Sequence, residues 1–273
     1  MLEARDVVVK RGAKVLLAGV SVAITPGQLT AIIGPNGAGK STLLRAMAGE
    51  LRPTDGAVLL DGVDLRTFPV ARLATRRSVV AQSTNLSFPF TVLEAVMLGA
   101  TVPGFGIRDR DAAVAARKAL IAVGLESFED RMIHQLSGGE RQRVHIARAL
   151  CQLSTAPRRP GETAALLLDE PTANLDLKHQ GEVLTVIKEQ SLSGRAVLLV
   201  IHDLNLAAAF ADDVVLMANG QIVGRGTPHE VLNEDLLSHT YGCRLKIDTS
   251  SDGRRLVLPA AITRRQRTGA AAE

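Results

Sequence analysis

Hydrophobic positions along the chain follow two periods, and each period predicts one kind of element. Residues 2–9 and 15–24 alternate apolar and polar side chains and are rich in valine, which predicts two antiparallel strands joined at Arg11-Gly12. Further apolar runs predict strands at 29–33, 57–60, 77–81, 164–168, 196–201 and 213–217. Because helical patterns separate most of these runs, we expect a core built on a largely parallel sheet.

The helical period dominates the middle of the chain. Apolar side chains recur three or four positions apart, without strand alternation, at 92–98, 109–123 and 140–153. We therefore predict a helical subdomain, at about residues 85–161, inserted into a sheet domain that spans residues 1–242. The stretch 154–163, rich in proline, glycine and charge, has the composition of a surface loop.

The end of the chain carries a separate pattern. Two short apolar stretches flank Ser251-Asp252-Gly253, which predicts a C-terminal β-hairpin extension over residues 243–260. Residues 261–273 contain three arginines and almost no apolar side chains except alanine, and we expect a flexible basic tail there. Asn219-Gly220 predicts another hairpin turn earlier in the chain.

Composition limits the class of protein. The 273 residues are 46% hydrophobic, enough for a large core, and the formal net charge is +4. The arginines near the end of the chain could be solvated or could contact anionic lipid. No aromatic residues lie among them, so we expect no nucleic-acid partner. The two cysteines show no metal-ligand spacing and are expected to be reduced thiols.

No membrane-spanning or secretory segment is predicted. The N-terminal stretch MLEARDVVVK carries charges where a signal peptide needs an apolar core, and no apolar run approaches the roughly 20 residues of a membrane span. We therefore expect a cytoplasmic chain that can act on a membrane only through a partner.

A phosphate-binding loop follows the predicted strand at 29–33. The sequence GPNGAGKST matches the pattern G-x-x-x-x-G-K-[ST] and lies between a strand and a helix, as that pattern requires. Its backbone N–H groups can surround phosphates, Lys40 can reach the β and γ oxygens, and the Ser41 hydroxyl is placed for Mg²⁺. The predicted nucleotide-binding residues are Gly34, Pro35, Asn36, Gly37, Ala38, Gly39, Lys40, Ser41 and Thr42.

Three other strands are followed by polar residues that suit phosphate chemistry. The run ALLLDEPT ends in two carboxylates, of which Asp169 is predicted to orient Mg²⁺ and Glu170, on the other side of the strand, to act as general base. His202 follows the strand at 196–201 and can reach a γ-phosphate if that strand neighbours the one before Asp169. Gln82 follows the strand at 77–81, and its amide can hold Mg²⁺-bound water.

A second anion-binding turn has no lysine. LSGGE, from Leu136 to Glu140, offers a hydroxyl, two glycines and the positive end of a helix dipole, all of which suit a phosphate. Since the phosphate loop lies far upstream, this turn requires a ligand of its own. The residues alone do not say which phosphate Ser137 contacts.

Taken together, these motifs resemble those of the ATP-binding subunit of ABC transporters, over nearly all of residues 1–242. The resemblance rests on the phosphate loop, Gln82, LSGGE at 136–140, LLLDE at 166–170, NLD at 174–176 and His202, in the order of the family. It implies an α/β fold: a P-loop NTPase core of the ABC ATPase type with an N-terminal antiparallel β subdomain and an inserted helical subdomain. It also implies ATP and Mg²⁺ as cofactors.

The resemblance implies an answer to the question about Ser137. In this family two subunits stack head to tail, and the signature of one closes on the γ-phosphate bound by the other. The cross-subunit signature would then be Leu136, Ser137, Gly138, Gly139 and Glu140, and the dimer seam Asn174, Leu175 and Asp176. The active site would be a property of a homodimer.

One position departs from the family pattern. The family often stacks an aromatic residue on adenine near the first hairpin, where this chain has Lys10 and Arg11. The Arg11 guanidinium can stack on an adenine plane, or it can be a solvated strand end. If the base is held loosely, GTP or CTP should be accepted beside ATP.

Three stretches resemble the ATPases of bacterial haemin importers: residues 87–100, residues 151–172 and GRRLVLP near the end. The resemblance implies two permease subunits, a periplasmic haem-binding protein and a peripheral position on the cytoplasmic face of the inner membrane. Import of ferric siderophore or cobalamin is the alternative. Ser87 to Thr91 are expected to face the permease, although Phe88, Phe90 and Val92 could also pack inward.

Two other classes fit less well. A soluble ABC ATPase of DNA repair or translation would carry long insertions or two ATPase cores, whereas this chain has one phosphate loop and one signature. A nucleotide-binding module without turnover conflicts with the presence of both Glu170 and His202.

Overall fold

The computed structural model describes residues 1–82, 89–101 and 107–260. The strands in these ranges are β1 (Leu2–Arg11), β2 (Lys14–Ile24), β3 (Leu29–Ile33), β4 (Asp55–Leu60), β5 (Val63–Asp64), β6 (Arg77–Val80), β7 (Ala165–Asp169), β8 (Ala196–Val200), β9 (Asp213–Ala218), β10 (Gln221–Gly226), β11 (Leu245–Thr249) and β12 (Arg255–Pro259). The helices are α1 (Lys40–Met47), α2 (Val70–Ala74), α3 (Val92–Met97), α4 (Asp109–Ala122), α5 (Gly138–Thr155), α6 (Leu177–Leu192), α7 (Leu204–Phe210), α8 (Pro228–Val231) and α9 (Glu234–Tyr241).

A six-stranded sheet forms the centre of the fold, in the order β10-β9-β3-β8-β7-β6. All pairs of neighbouring strands in this sheet are parallel except β9 and β10, which form the hairpin predicted at Asn219-Gly220. Strands β7 and β8 are neighbours, with Asp169 opposite Val200. The carboxyl ends of β3, β8, β7 and β6 therefore lie side by side at one edge of the sheet.

The N-terminal strands form a separate antiparallel sheet in the order β2-β1-β4-β5. The α/β architecture predicted from the sequence, with a mostly parallel core sheet and an N-terminal antiparallel sheet, is confirmed. The bounds of these strands differ from the predicted ones by at most two residues. Differences of two residues occur at the end of β1 and at the start of β4, where Asp55 pairs with Val8 of β1.

Side chains on the two faces of the central sheet belong to two different hydrophobic clusters. Leu29, Ala31 and Ile33 of β3 lie in the cluster that contains the inserted helices, whereas Ile32 lies in the cluster with α1 and the N-terminal sheet. Both faces are thus covered, which explains why the central strands are continuous apolar runs. Each fully buried leucine or isoleucine of this kind contributes about 1.5–3 kcal/mol to folding.

The helical insertion runs from α3 to α5. Helix α3 begins at Val92; the hydroxyl of its N-cap residue, Thr91, and the Glu94 carboxylate form a capping box. Helix α5 continues to Thr155, so the predicted surface loop begins two residues later than expected. Val92 is fully buried and Phe90 packs against the same cluster. For Val92 and Phe90 these contacts agree with the inward-packing alternative, whereas Ser87 and Phe88 lie outside the described residues.

The predicted C-terminal hairpin is present as β11 and β12. Asn205 of α7 fixes it to the core: its side-chain amide accepts from the Val257 N–H at 2.8 Å and donates to the Val257 carbonyl at 3.3 Å. The predicted flexible tail at 261–273 lies outside the described residues. Cys151 is buried and Cys243 exposed, and both are free thiols. Within the described ranges, every helix is too short or too polar to cross a membrane.

Candidate functional site

The phosphate loop connects β3 to α1 in a backbone conformation that depends on glycine. Gly34 has φ 143°, and a β-carbon at this position would lie 2.1 Å from the Met217 carbonyl oxygen. Gly39 precedes α1 with φ 102°, and no side chain caps the first turn of the helix. The free N–H groups of that turn are therefore available to an anion.

Lys40 lies inside the loop. Its ammonium donates to the Gly34 carbonyl at 2.7 Å and to the Pro35 carbonyl at 3.0 Å, and the residue is only 6% exposed. Burial lowers the pKa of Lys40, and the nearby carboxylates of Glu170 and Asp169 counteract this effect. Phosphate oxygens can accept the hydrogen bonds that these carbonyls accept. They also carry negative charge, which compensates the positive charge of the buried ammonium.

Ser41 and Asp169 form the part of the site that fits a divalent cation. The Ser41 hydroxyl donates to the Asp169 carboxylate at 3.1 Å, and Asp169 is 5% exposed at the end of β7. Burial raises the pKa of Asp169, so a positive charge beside it would favour the ionised form. No group of three or more histidine, cysteine, aspartate or glutamate side chains in the described ranges could hold a metal. One hydroxyl and one carboxylate fit Mg²⁺, which completes its shell with phosphate oxygens and water.

Glu170 follows directly after β7 and is held by two neighbours. Its carboxylate accepts from the Gln82 amide at 2.8 Å through one oxygen and contacts His202 Nε2 at 2.5 Å through the other. The backbone at Glu170 has φ 51°, outside the strand region, so strand alternation does not determine where this side chain lies. The sheet order brings Gln82, Glu170 and His202 together as expected, because β6, β7 and β8 are neighbours.

These side chains and the phosphate loop line one open cavity of about 890 Å³, a volume typical of a site for a nucleotide-sized ligand. Lys14, Val15 and Leu16 of β2 and Asn219-Gly220 of the β9–β10 turn complete its wall. Arg11, the candidate for stacking on adenine, is not among the lining residues. The contribution of β2 was not predicted, although β2 is the second strand of the hairpin at which the family holds adenine.

The turn at Gly220 supports the phosphate loop through its backbone. The Gly220 N–H donates to the Ala38 carbonyl at 2.9 Å, and the Gly220 carbonyl accepts from the Ala18 N–H at 2.9 Å. The β9–β10 hairpin thus joins the phosphate loop to β2.

The signature residues lie at the start of α5. Ser137 is the N-cap residue: its hydroxyl accepts from the Glu140 N–H at 3.2 Å, and the Glu140 carboxylate accepts from the Ser137 N–H at 2.7 Å. The Ser137 N–H, and after it the Ser137 hydroxyl, hold the pKa of Glu140 below its usual value. Leu136 is buried at 5% exposure and anchors the turn in the core.

The signature and the predicted seam line a second cavity, of about 450 Å³, that shares no lining residue with the first. Asn174 enters it in a left-handed conformation with φ 63°, and its carbonyl would lie 3.0 Å from a β-carbon at Gly139. The complete lining is Ser137, Gly138, Gly139, Glu140, Arg143, Asn174, Leu175, Asp176 and His179. Arg143 and His179 were missed by the sequence analysis.

Comparison with known proteins agrees with this geometry. The ABC transporter family profile matches residues 17–173. The chain is 45% identical over 265 residues to a hemin import ATP-binding protein, HmuV, of Jannaschia sp. (strain CCS1), which covers 97% of this chain and 96% of the relative. It is 42% identical over 264 residues to the HmuV protein of Rhizobium meliloti (strain 1021), which covers 96% of this chain and 100% of the relative.

Solved structures of similar fold include two of one protein. The dimeric structure of MJ0796, a bacterial ABC transporter cassette, superposes with a TM-score of 0.73 at 29% identity and covers 84% of this chain and 99% of its own. The second structure is a dimeric post-hydrolysis state bound to ADP and Pi, with the same TM-score of 0.73, identity of 29% and coverage of 84% and 99%.

Proposed function

The chain belongs to the ABC transporter family of ATPases, and from this premise we propose that it is the ATP-hydrolysing subunit of a haemin importer. The observation that supports hydrolysis is the contact of Glu170 with both Gln82 and His202 beside the phosphate loop. A module that only binds nucleotide has no need for a carboxylate held in this way.

The contacts around the first cavity support a proposed role for each side chain. Lys40 and the N–H groups of the loop bind the β- and γ-phosphates, and Ser41, Asp169 and Gln82 hold Mg²⁺. The ion, when bound, neutralises charge on the phosphate oxygens. Glu170 accepts the proton of the attacking water as general base. Because a carboxylate offers about four lone-pair sites, its two existing contacts leave acceptor capacity for that water.

His202 holds Glu170 from the other side of the cavity. Its Nε2 lies 2.5 Å from Glu170 Oε1, close enough to fix the orientation of the carboxylate. The ring lines the same cavity as the phosphate loop and can also contact a γ-phosphate. Its proposed role is to align base and phosphate.

The second cavity acts in a homodimer. Ser137, Gly138 and Gly139 have donors suited to a phosphate, but no lysine is among the residues that line their cavity, and none of those residues lines the first cavity. We propose that they close on the γ-phosphate held by a second copy of the chain, with Asn174 to Asp176 at the seam. The dimeric form of the similar cassette supports this arrangement.

The transported molecule and the membrane partners are inferred from the relatives. The two haemin import ATP-binding proteins match this chain along almost its whole length. We propose two permease subunits, a periplasmic haem-binding protein on the opposite side, and a peripheral position on the cytoplasmic face of the inner membrane. ATP closes the ATPase pair, and hydrolysis with product release opens it, which moves the permease between two states.

Transport by the complex reconstituted in liposomes tests the proposal. With ATP inside and the binding protein outside, haemin should stimulate hydrolysis and be taken up. Both effects should be lost with Glu170→Gln. Stimulation by a ferric siderophore or by cobalamin, but not by haemin, would contradict the substrate and retain the importer class. Absence of ATP hydrolysis by the wild-type complex would contradict the function itself.

A further inference from the structure

Asp176, at the start of α6, is bound by His179 through two different groups. The backbone N–H of His179 donates to Asp176 Oδ1 at 2.9 Å, and the ring nitrogen Nδ1 lies 2.7 Å from the same oxygen. The first contact is the ordinary N-cap bond of a helix. The second is an additional contact that the cap does not require.

The protonation state of the ring nitrogen follows from its partner. The backbone N–H of His179, and after it the ring, hold the pKa of Asp176 below its usual value, so the side chain is a carboxylate that only accepts. Nδ1 must therefore carry a hydrogen. The ring is a donor at Nδ1, and in the neutral form Nε2 is an acceptor.

The contacts leave one side of the carboxylate open. In the described residues both hydrogen bonds of Asp176 fall on Oδ1, and its side chain is 66% exposed against 30% for His179. His179 also lines the signature cavity with Ser137 and Asp176. The pair thus lies where the proposed function places a second copy of the chain.

We propose that His179 is a positioning residue of the dimer seam: its Nδ1–H holds one oxygen of Asp176 and keeps the other directed to a hydrogen-bond donor of the second copy. The inference rests on the proposed homodimer. Without the ring, the N-cap bond remains but the exposed carboxylate can rotate, and closing the dimer must then restrict it.

Two amide substitutions distinguish the roles of the two ring nitrogens of His179. The amide nitrogen of His179→Asn takes the place of Nδ1, whereas that of His179→Gln takes the place of Nε2. We expect His179→Asn to retain ATP-dependent dimerisation and His179→Gln to weaken it about three- to tenfold, the range for loss of one hydrogen bond. Light scattering in a Glu170→Gln background, as a function of protein concentration, measures this constant.

Kinetics provide a second readout. In the wild-type background, His179→Gln should raise the protein concentration needed for half-maximal ATPase activity and leave kcat at saturating protein nearly unchanged. A double-mutant cycle tests whether His179 acts through Asp176. In an Asp176→Ala background, His179→Gln should have no further effect on dimerisation. Thermal unfolding of each variant shows that the fold is intact.

Several results would overturn the inference. Retained dimerisation in His179→Gln with loss in His179→Asn would assign the role to Nε2, as a phosphate contact. Equal behaviour of both variants, or an undiminished effect in the Asp176→Ala background, would also contradict it. Nitrogen chemical shifts of the nucleotide-free chain, assigned by the signal lost in His179→Asn, must show Nδ1–H in the neutral ring; Nε2–H would refute the proposal without reference to dimerisation. Failure of the Glu170→Gln parent to dimerise would instead contradict the proposed function.

Discussion

The two cavities are built in different ways. The phosphate-loop cavity collects groups from the carboxyl ends of four neighbouring strands, β3, β8, β7 and β6, and these groups are bonded to one another. The signature cavity consists of the first turns of two helices, α5 and α6, each closed by its own cap. The first contains Lys40 and the Glu170–His202 pair beside the phosphate loop, whereas the second has no lysine among its lining residues, and its two carboxylates, Glu140 and Asp176, accept from backbone N–H groups. This composition agrees with our proposal that the second cavity serves a phosphate held by another subunit.

The carboxyl groups of the two cavities also differ in the direction of their pKa shifts. Burial raises the pKa of Asp169 in the first cavity, so the site favours the arrival of a cation. Backbone N–H groups lower the pKa values of Glu140 and Asp176 in the second cavity, so these carboxylates are already stabilised as anions. We therefore expect a cation to stabilise the ionised form of Asp169, whereas backbone N–H groups already do so for Glu140 and Asp176.

The largest effect is expected at the base. Glu170→Gln should retain nucleotide binding but lower the rate of hydrolysis by roughly 10²–10⁴-fold, because general-base assistance is lost and the amide can still bond to its neighbours. The closed dimer should then accumulate with ATP and Mg²⁺. Steady-state phosphate release and light scattering measure the two effects. A variant that hydrolyses ATP at the wild-type rate would remove Glu170 from the role of base.

Next in size is the comparison of one substitution in each cavity. Lys40→Ala and Ser137→Arg should each lower turnover by about 10²–10³-fold, the range for loss of one group that stabilises the transition state. Only Lys40→Ala should weaken nucleotide binding by the isolated monomer, which equilibrium titration with a fluorescent ATP analogue measures. Loss of monomer binding by Ser137→Arg would contradict the assignment of the signature to a second subunit.

Mixing these two variants sharpens the comparison. A heterodimer of Lys40→Ala and Ser137→Arg places both changes at one composite site and leaves the other site intact. Activity in the mixture above that of either variant alone is expected if one intact site can turn over. Activity no higher than the two homodimers would mean that the two sites must act together.

The sequence could predict the phosphate-loop cavity better than the signature cavity. Gln82, Asp169, Glu170 and His202 each follow an apolar run, and parallel strands bring such residues to one edge of a sheet. The pairing of Asp176 with His179 depends on a helix cap in which a histidine replaces the usual glutamate, so no familiar pattern indicates it. For Arg11 the sequence left open whether the side chain stacks on adenine or is a solvated strand end. In the structure the strand after the turn, with Val15, lines the cavity.

A matched pair of glycine substitutions compares the space around the two anion-binding turns. Gly34→Ala should destabilise the fold by about 2–3 kcal/mol or more, because its β-carbon would lie 2.1 Å from the Met217 carbonyl at a φ of 143°. Gly138→Ala should change stability by about 0.5 kcal/mol or less, since the nearest atom, Asn174 Cβ, is 3.8 Å away. Urea unfolding measures both. Equal destabilisation would mean that the signature turn is as tightly packed as the phosphate loop.

The smallest effect is expected at Glu140, where the charge can be removed and the cap retained. Glutamine also completes a capping box, so Glu140→Gln should cost only a few tenths of a kcal/mol, from loss of a negative charge at an exposed helix N-terminus. The pKa of Glu140 is lower in the folded chain than its ordinary value of 4.5. The contribution of the charge to stability is therefore present above 4.5 and disappears as the pH falls below it. The difference in unfolding free energy between the wild type and Glu140→Gln should accordingly shrink from neutral to acid pH; a constant difference would mean that the amide disturbs the cap itself.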